Sequence, residues 1–200
     1  MGEHPGNELV WTVEGVVLAG GASRRMGRDK SLIPVGGVPM AVRVVAALQD
    51  GGCRSVRVIG GDTAALIALG LAAEPDAHPG EGPLGAIAAA LASTSASAVL
   101  VAACDLAYLT PNTVRHLSAA SAAQPASVVS AFSTRREPLC AIWPRSAASI
   151  VGEAFASGAR AVAAAFDRLD VVDVPVDTAD LRNLNQPSDL PELPTDHGIA

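Results

Sequence analysis

Val13-Glu14-Gly15-Val16-Val17-Leu18-Ala19-Gly20-Gly21-Ala22-Ser23-Arg24-Arg25-Met26-Gly27-Arg28-Asp29-Lys30 is the stretch on which the fold turns. The mostly apolar run from Val13 to Ala19 predicts a buried strand, and the paired glycines predict a loop delivered to that strand's C-terminal edge. Open α/β sheets bind their ligands there. Arg24, Arg25, Arg28 and Lys30 place four cations within seven residues of a chain whose net charge is −6. Backbone amides freed by glycine, together with those cations, suit a polyphosphate. Two familiar phosphate motifs are excluded by spacing. A P-loop needs Lys directly after its last glycine, whereas Arg28 and Asp29 separate Gly27 from Lys30, and Gly20-Gly21 cannot supply G-x-G-x-x-G.

Outward from this stretch the chain alternates between two periodicities. Met40, Val44, Ala47 and Leu48 recur at helical spacing between Pro39 and Gln49, with Gly51-Gly52 as the stop. Val56–Ile59 reads as a short strand, and Asp62 or Thr63 as the cap of a helix that runs to Gly70. A weaker strand is expected at Leu71–Ala73. Glu74 to Gly85 is too rich in Pro and Gly for regular structure and forms a second long loop. Helices are expected at Leu84–Ser93, Thr113–Ala122, Ser146–Phe155 and Ala159–Leu169. Strands are expected at Ala98–Ala103, Ser127–Phe132, Leu139–Trp143 and Val171–Val174. Pro34 and Gly36-Gly37 are read as interruptions. This alternation predicts a three-layer α/β/α sandwich around a Rossmann-like, mostly parallel sheet with right-handed crossovers.

The chain is 200 residues long, enough for one domain with a sizeable core. We expect a lead-in at residues 1–12, one domain over 13–190 and a loose tail at 191–200. Half of the residues are apolar but only 3% are aromatic, so Ala, Val and Leu must fill the core. An excess of acidic residues argues against broad nucleic-acid binding. Cys53, Cys104 and Cys140 are odd in number and form no C-x-x-C, which indicates neither a disulfide framework nor a zinc site. Together with a polar N-terminus and no membrane-length apolar run, this leads us to expect a cytoplasmic protein with no membrane association.

Asp105 follows the six apolar residues Ala98–Ala103 and Cys104. A rigid strand would hold it at the same edge as the glycine loop. Mg²⁺ takes oxygen ligands, keeps several waters and bridges one or two carboxylates to substrate phosphates, so one such Asp can recruit it with a nucleotide. His4 and His197 fall in the tails, His116 on the surface of a helix, and His78 in the second loop as a bystander. Arg135-Arg136-Glu137 precedes a strand and reads as a solvated turn that could meet a second anionic substrate.

The pattern L-A-G-G-x-S-x-R-M-G-x-D-K at Leu18–Lys30 resembles the signature of nucleotidyltransferases related to nucleotide-sugar pyrophosphorylases, and most closely that of the molybdenum cofactor guanylyltransferases. The resemblance spans Val16 to Leu190. It implies a sheet of the nucleotidyltransferase type and a glycine loop, Leu18, Ala19, Gly20 and Gly21, that holds GTP. It further implies that Lys30 contacts the phosphates and that Asp105 binds both nucleotide and Mg²⁺. Asp76, ahead of Gly82-Pro83-Leu84, is similar to an acid that contacts the nucleotide in relatives. Asn183-Leu184-Asn185-Gln186-Pro187-Ser188-Asp189-Leu190 resembles N-x-N-x-P-x-D-L, whose asparagines Asn183 and Asn185 would serve the pterin side of the cleft. Spaced by two, they would point the same way on an extended segment.

The implied reaction is attack by the phosphate of molybdopterin, or of its molybdenum-loaded form, on the α-phosphorus of Mg·GTP. Pyrophosphate leaves, and the guanine dinucleotide cofactor forms. Catalysis would consist of alignment and charge neutralisation by Arg25, Lys30 and Asp105. Molybdoenzymes or other cofactor-biosynthesis proteins would be the further partners.

Two positions depart from the pattern. Ala107 stands where relatives usually have Pro, and Ile59-Gly60 where many have Asn, which removes a hydrogen-bond partner for base or ribose. Two alternatives therefore remain. One is a cytidylyltransferase on the same cofactor or on another small phosphorylated substrate; relatives using CTP tend to have A-A-G at Ala19-Gly20-Gly21. The other is a non-catalytic nucleotide-binding partner of a molybdoenzyme.

Overall fold

A computed structural model describes residues 10–20, 29–184 and 189. Nine strands are described: β1 (Val13–Leu18), β2 (Pro34–Val35), β3 (Val38–Pro39), β4 (Val56–Ile59), β5 (Ala73–Glu74), β6 (Ala98–Ala103), β7 (Val128–Phe132), β8 (Arg136–Pro144) and β9 (Val171–Pro175). Between them lie helices α1 (Met40–Asp50), α2 (Thr63–Ala68), α3 (Pro83–Ser93), α4 (Pro111–Ala123), α5 (Ala148–Ala156) and α6 (Ala163–Phe166).

Seven strands form one sheet in the order β5-β4-β1-β6-β8-β7-β9. The pairs β4–β5, β1–β4, β1–β6 and β7–β9 are parallel, whereas β8 runs antiparallel to both β6 and β7. The expected three-layer, mostly parallel sandwich is therefore the observed architecture. Reversal of β8 has one consequence for the site. Its first residues lie beside the last residues of β6 and β7, so the ends of β1, β4, β5, β6, β7 and β9 and the start of β8 share one edge.

Side-chain alternation along the central strands builds a core on each face. Val13, Val17, Ala98, Leu100 and Ala102 point into a cluster with Val44 and Leu48 of α1 and with Val114 and Leu117 of α4. Val16, Leu18, Val99 and Val101 point the other way, to Leu84, Ile87 and Leu91 of α3, Val151 of α5 and Phe166 of α6. Wholly apolar β6 is buried at every position because both its faces are covered. At Gly15 a Cβ would lie 3.0 Å from Leu48 Cδ1, so the missing side chain lets α1 seat closely on β1.

Four expectations need correction. Pro34 and Gly36-Gly37 do not merely interrupt structure: they form a hairpin in which Val35 pairs with Val38. Gly36 and Gly37 both have positive φ (60° and 82°), the requirement of the tight turn that suits a hairpin's twist. The helix expected at Ala159–Leu169 is helical only over Ala163–Phe166, since Gly158 (φ 95°) and the turn after it delay its start. The strand expected at Leu71–Ala73 lies at Ala73–Glu74, and β8 begins at Arg136 rather than Leu139. Residues 1–9 of the expected lead-in and the expected tail at 191–200 lie outside the described residues.

Candidate active site

Backbone hydrogen bonds tie the ends of β1, β4 and β6 one residue past each strand. Ala19 N donates to Ile59 O at 2.9 Å, Cys104 N to Leu18 O at 3.0 Å, and Gly60 N to Glu74 O at 2.9 Å. Gly60 adopts φ +83°, and a Cβ there would meet Gly20 N at 2.9 Å and Gly20 Cα at 3.0 Å. Glycine at this position thus lets the β4 corner lie directly against the start of the basic loop. Asp76 is brought to the same place: a Cβ on Gly20 would lie 3.5 Å from Asp76 Oδ2. Asp76 Oδ1 accepts from His78 N at 2.9 Å, which orients the carboxyl. His78 itself packs on Phe155, with ring centroids 4.6 Å apart.

On the far side of the loop, Lys30 opens a single 3₁₀ turn over Lys30–Leu32, capped by Asp29. Asp29 Oδ1 accepts from Ser31 N at 2.9 Å and from Ser31 Oγ at 2.7 Å, while Asp29 Oδ2 accepts from Asp62 N. One carboxylate therefore fastens the Lys30 turn to the corner after β4. Asp62 also caps α2 by accepting from Ala65 N at 3.0 Å, as the sequence predicts.

Lys30 Nζ donates to Asp105 Oδ2 at 2.7 Å, with side-chain exposures of 15% and 17%. These two residues, 75 positions apart, are the charges that the sequence reading expects to share a pocket. Asp105 Oδ1 is buried and has no hydrogen-bond partner among the described residues. Burial, followed by the charge of Asp105, pushes the neighbouring Cys104 thiol up to about 12, so it stays a neutral wall rather than a nucleophile.

The C-terminal segment closes the other flank. Leu184 N donates to Asp105 O at 3.1 Å, and Leu184 is buried with Ile33, Val35, Met40 and Ala107. Asp180 accepts from Thr110 Oγ1 at 2.6 Å and from Thr113 Oγ1, which holds the segment to the start of α4. Arg43 Nε donates to Ala107 O at 2.8 Å, and the Arg43 and Arg182 guanidinium carbons lie 5.9 and 5.6 Å from the Tyr108 ring centroid. Asn183 is thereby placed one residue from the Asp105 contact, with its Nδ2 3.4 Å from Glu137 Oε2.

Next to Asn183 an open pocket of about 510 Å³ is lined by Ser133, Thr134, Arg135 and Glu137 from the β7–β8 turn and by Thr178 and Arg182 from the C-terminal segment. Arg136 faces elsewhere. It pairs with Asp173 through two hydrogen bonds at 2.6 and 2.9 Å, and this holds the Asp173 carboxyl below its usual range.

Of the expected site residues, Leu18, Ala19, Gly20, Lys30, Asp76 and Asp105 gather at one edge, and Asn183 borders the adjoining pocket. Gly21, Arg25 and Asn185 lie outside the described residues, as do residues 21–28 of the basic loop generally. Sequence reasoning did not anticipate the anchoring roles of Asp29 and Asp180. Asp29 carried a usable signal, since Asp-x-Ser before a turn is the pattern of a side chain capping its own backbone. Arg43, Tyr108 and Arg182 carried none, because their association depends on tertiary contact.

The chemistry on offer at this edge is electrostatic: a cation, a carboxylate with one unclaimed oxygen, and a backbone stripped of side chains where Gly20 meets Gly60. On a mostly parallel α/β sheet this arrangement defines a nucleotidyltransferase, in which aligned anions react and charge is neutralised around them. The model of the MobA-like NTP transferase domain matches residues 15–172, and the chain belongs to that family. It is 35% identical over 188 residues to a molybdenum cofactor guanylyltransferase of Rhodobacter capsulatus, covering 89% of this chain and 93% of that one. The crystal structure of molybdopterin-guanine dinucleotide biosynthesis protein A from Archaeoglobus fulgidus superposes with a TM-score of 0.73 at 25% identity, covering 88% and 94% of the two chains. A nucleotidyl transferase from Methanothermobacter thermautotroptrophicus shares the fold at a TM-score of 0.70 and 17% identity, covering 89% and 94%.

Proposed function

We propose that this enzyme transfers GMP from Mg·GTP to the phosphate of molybdopterin or its molybdenum-loaded form and releases pyrophosphate. The observation that carries the reading is the Lys30–Asp105 pair at the glycine-bearing edge of the sheet, 2.7 Å apart. Asp105 fits a Mg²⁺ ion because Oδ1, buried and without a hydrogen bond among the described residues, has an acceptor lone pair to give. When bound, Mg²⁺ would neutralise triphosphate charge.

The chain's own residues do the rest. Gly20 and Gly60 keep side chains away from the nucleotide. Asp76 and the unbranched Gly20 border the space in which a purine would sit. Lys30 shifts its charge from Asp105 to the phosphates, where it stabilises negative charge growing on the leaving group. Asn183, held to the Asp105 loop through Leu184 N, borders the pocket for the second anion, toward which Arg135 and Arg182 supply positive charge. A cytoplasmic setting is part of the proposal, in keeping with three cysteines that are odd in number and form no C-x-x-C.

A thermal-shift panel of GTP, CTP, ATP and UTP, each with and without Mg²⁺, tests the nucleotide. A ligand confined to the native state adds about 2.7 kcal/mol of stability at a hundredfold excess over its Kd. GTP with Mg²⁺ is expected to give the largest shift, and a larger shift with CTP overturns the guanylyl reading. Pyrophosphate release from Mg·GTP that depends on added molybdopterin tests the transfer and separates it from a non-catalytic binding role.

A further inference from the structure

Glu137 is a carboxylate in a pocket whose other charged groups, Arg135 and Arg182, are suited to an anion. Neither arginine neutralises it: among the described residues Glu137 makes no ion pair, and its side chain meets the Asn183 amide at a long 3.4 Å. Its position depends on a break in the β7–β8 ladder. Val129 pairs with Ile142 and Ser130 with Ala141, but Ala131 then pairs with Glu137, so Pro138, Leu139 and Cys140 find no partner on β7. Pro138 has no N–H to give a ladder, and bulges of this kind re-aim the side chains beside them. Of the residues this break re-aims, Glu137 lines the pocket together with Arg135, Arg182 and Asn183.

A carboxylate facing an anionic substrate repels it unless it receives hydrogen from a neutral part of the same molecule. A 2-amino-4-oxopyrimidine ring carries that counterpart, because N3–H and the exocyclic amine lie side by side in one plane and match the two carboxylate oxygens. Leu184 N donates to the Asp105 backbone O at 3.1 Å, so Asn183 on the pocket wall is one residue from a contact with Asp105. A substrate whose phosphate sits at Lys30 and Asp105 would then extend its ring toward Glu137. On the reading given under Proposed function, we propose that Glu137 is a specificity-determining residue that accepts both donors of the pterin's pyrimidine ring.

Glu137→Gln isolates this role, since Gln keeps the length and one acceptor for Asn183 but turns a donor toward a donor. Loss of a charge-assisted pair predicts a rise of roughly 10- to 100-fold in KM for molybdopterin. The kcat and the KM for GTP should stay within about twofold of the wild type. Fluorescence titration with 6-hydroxymethylpterin and with 6-hydroxymethyllumazine, whose 2-oxo group replaces the 2-amine, gives a readout independent of turnover. The wild type should prefer the pterin, and Glu137→Gln should lose that preference while its unfolding midpoint is unchanged. An unchanged KM, an equal affinity of the wild type for the two pteridines, or a rise in KM for GTP instead overturns the assignment. If the wild type releases no pyrophosphate with molybdopterin, the proposed transfer itself fails; normal wild-type turnover with an unaffected Glu137→Gln sinks only the role of Glu137.

Discussion

Breaking the Lys30–Asp105 pair one partner at a time, then both together, separates its contribution to folding from its contribution to the reaction. At 2.7 Å and an effective dielectric near 20, the gross attraction is about 6 kcal/mol, most of it offset by the desolvation of two charges only 15% and 17% exposed. Lys30→Met leaves the Asp105 carboxylate without its cation, with the buried Oδ1 also lacking a partner among the described residues, and Asp105→Asn takes the 2.7 Å counter-charge away from the Lys30 ammonium. Each single change should cost about 2–4 kcal/mol. At roughly 2–4 °C per kcal/mol for a chain of this size, the melting temperature should fall by roughly 4–16 °C. The double variant buries no lone charge and should return to within about 1 kcal/mol of the wild type. Turnover should behave oppositely. Each single variant should lose about 10² to 10³ in kcat, and the double variant should recover none of it, because the phosphates still lack their cation and the metal its ligand. Thermal unfolding and Mg·GTP-dependent pyrophosphate release provide the two readouts. Additive destabilisation in the double variant would refute the mutual neutralisation, and near-normal turnover by folded Asp105→Asn would refute the metal role.

Gly60→Ala should destabilise by about 2–4 kcal/mol in denaturant titration, since the left-handed backbone alone costs roughly 1–2 kcal/mol for a side-chain-bearing residue and the new Cβ meets Gly20 N at 2.9 Å. It should also weaken nucleotide affinity, because Gly20 must move. Ala107→Pro should raise stability by about 0.4–1 kcal/mol: Leu109 N donates to Leu106 O at 2.9 Å, which makes Ala107 the second residue of a turn, where Pro is favoured. Calorimetry decides it, and a loss of stability would show that the turn cannot take the proline φ. The buried thiols of Cys53, Cys104 and Cys140, each pushed up to about 12 by burial, should resist a thiol reagent at pH 8 until the protein unfolds. With folded pKa values raised above the ordinary thiol value of 9.0, their neutral state favours the fold below pH 9, and that contribution is lost as pH rises toward 12.

Strand and helix positions were legible wherever burial imposes a single period. Ala98–Ala103 is apolar throughout because both its faces are covered, and Val56–Ile59 is bounded by residues that cannot continue a strand. Direction was not legible: nothing in Leu139–Trp143 says that β8 runs against its neighbours, because a strand buried on both faces has the same composition either way. The hairpin at Val35 and Val38 was missed because two-residue strands carry no period, although Gly36-Gly37 is the turn signal such a hairpin uses. For the site, Lys30, Asp76 and Asp105 were visible through motif resemblance, and Asp105 also because a rigid strand carries it to the edge. Asp180 was not, and Glu137 was read only as part of a solvated turn that could meet a second anion, since an acid near a turn looks solvated until the partner segment is in place.

Reversal of β8 connects these points. In the parallel half, β5-β4-β1-β6, every strand ends at the edge that carries Gly20, Gly60, Asp76 and Asp105. Had β8 run parallel to β6, its N-terminal residues would lie at the opposite edge, and Arg135 and Glu137 with them. Running antiparallel, β8 brings its start beside Asp105, while β7 and β9, parallel to each other, bring the β7–β8 turn and the C-terminal segment to the same edge. The Lys30–Asp105 edge and the pocket at the β7–β8 turn are thus tied together where Leu184 N meets Asp105 O. Because a transfer between two anions gains most from holding both in fixed register, the rigidity of that junction matters as much as the charge on either side of it.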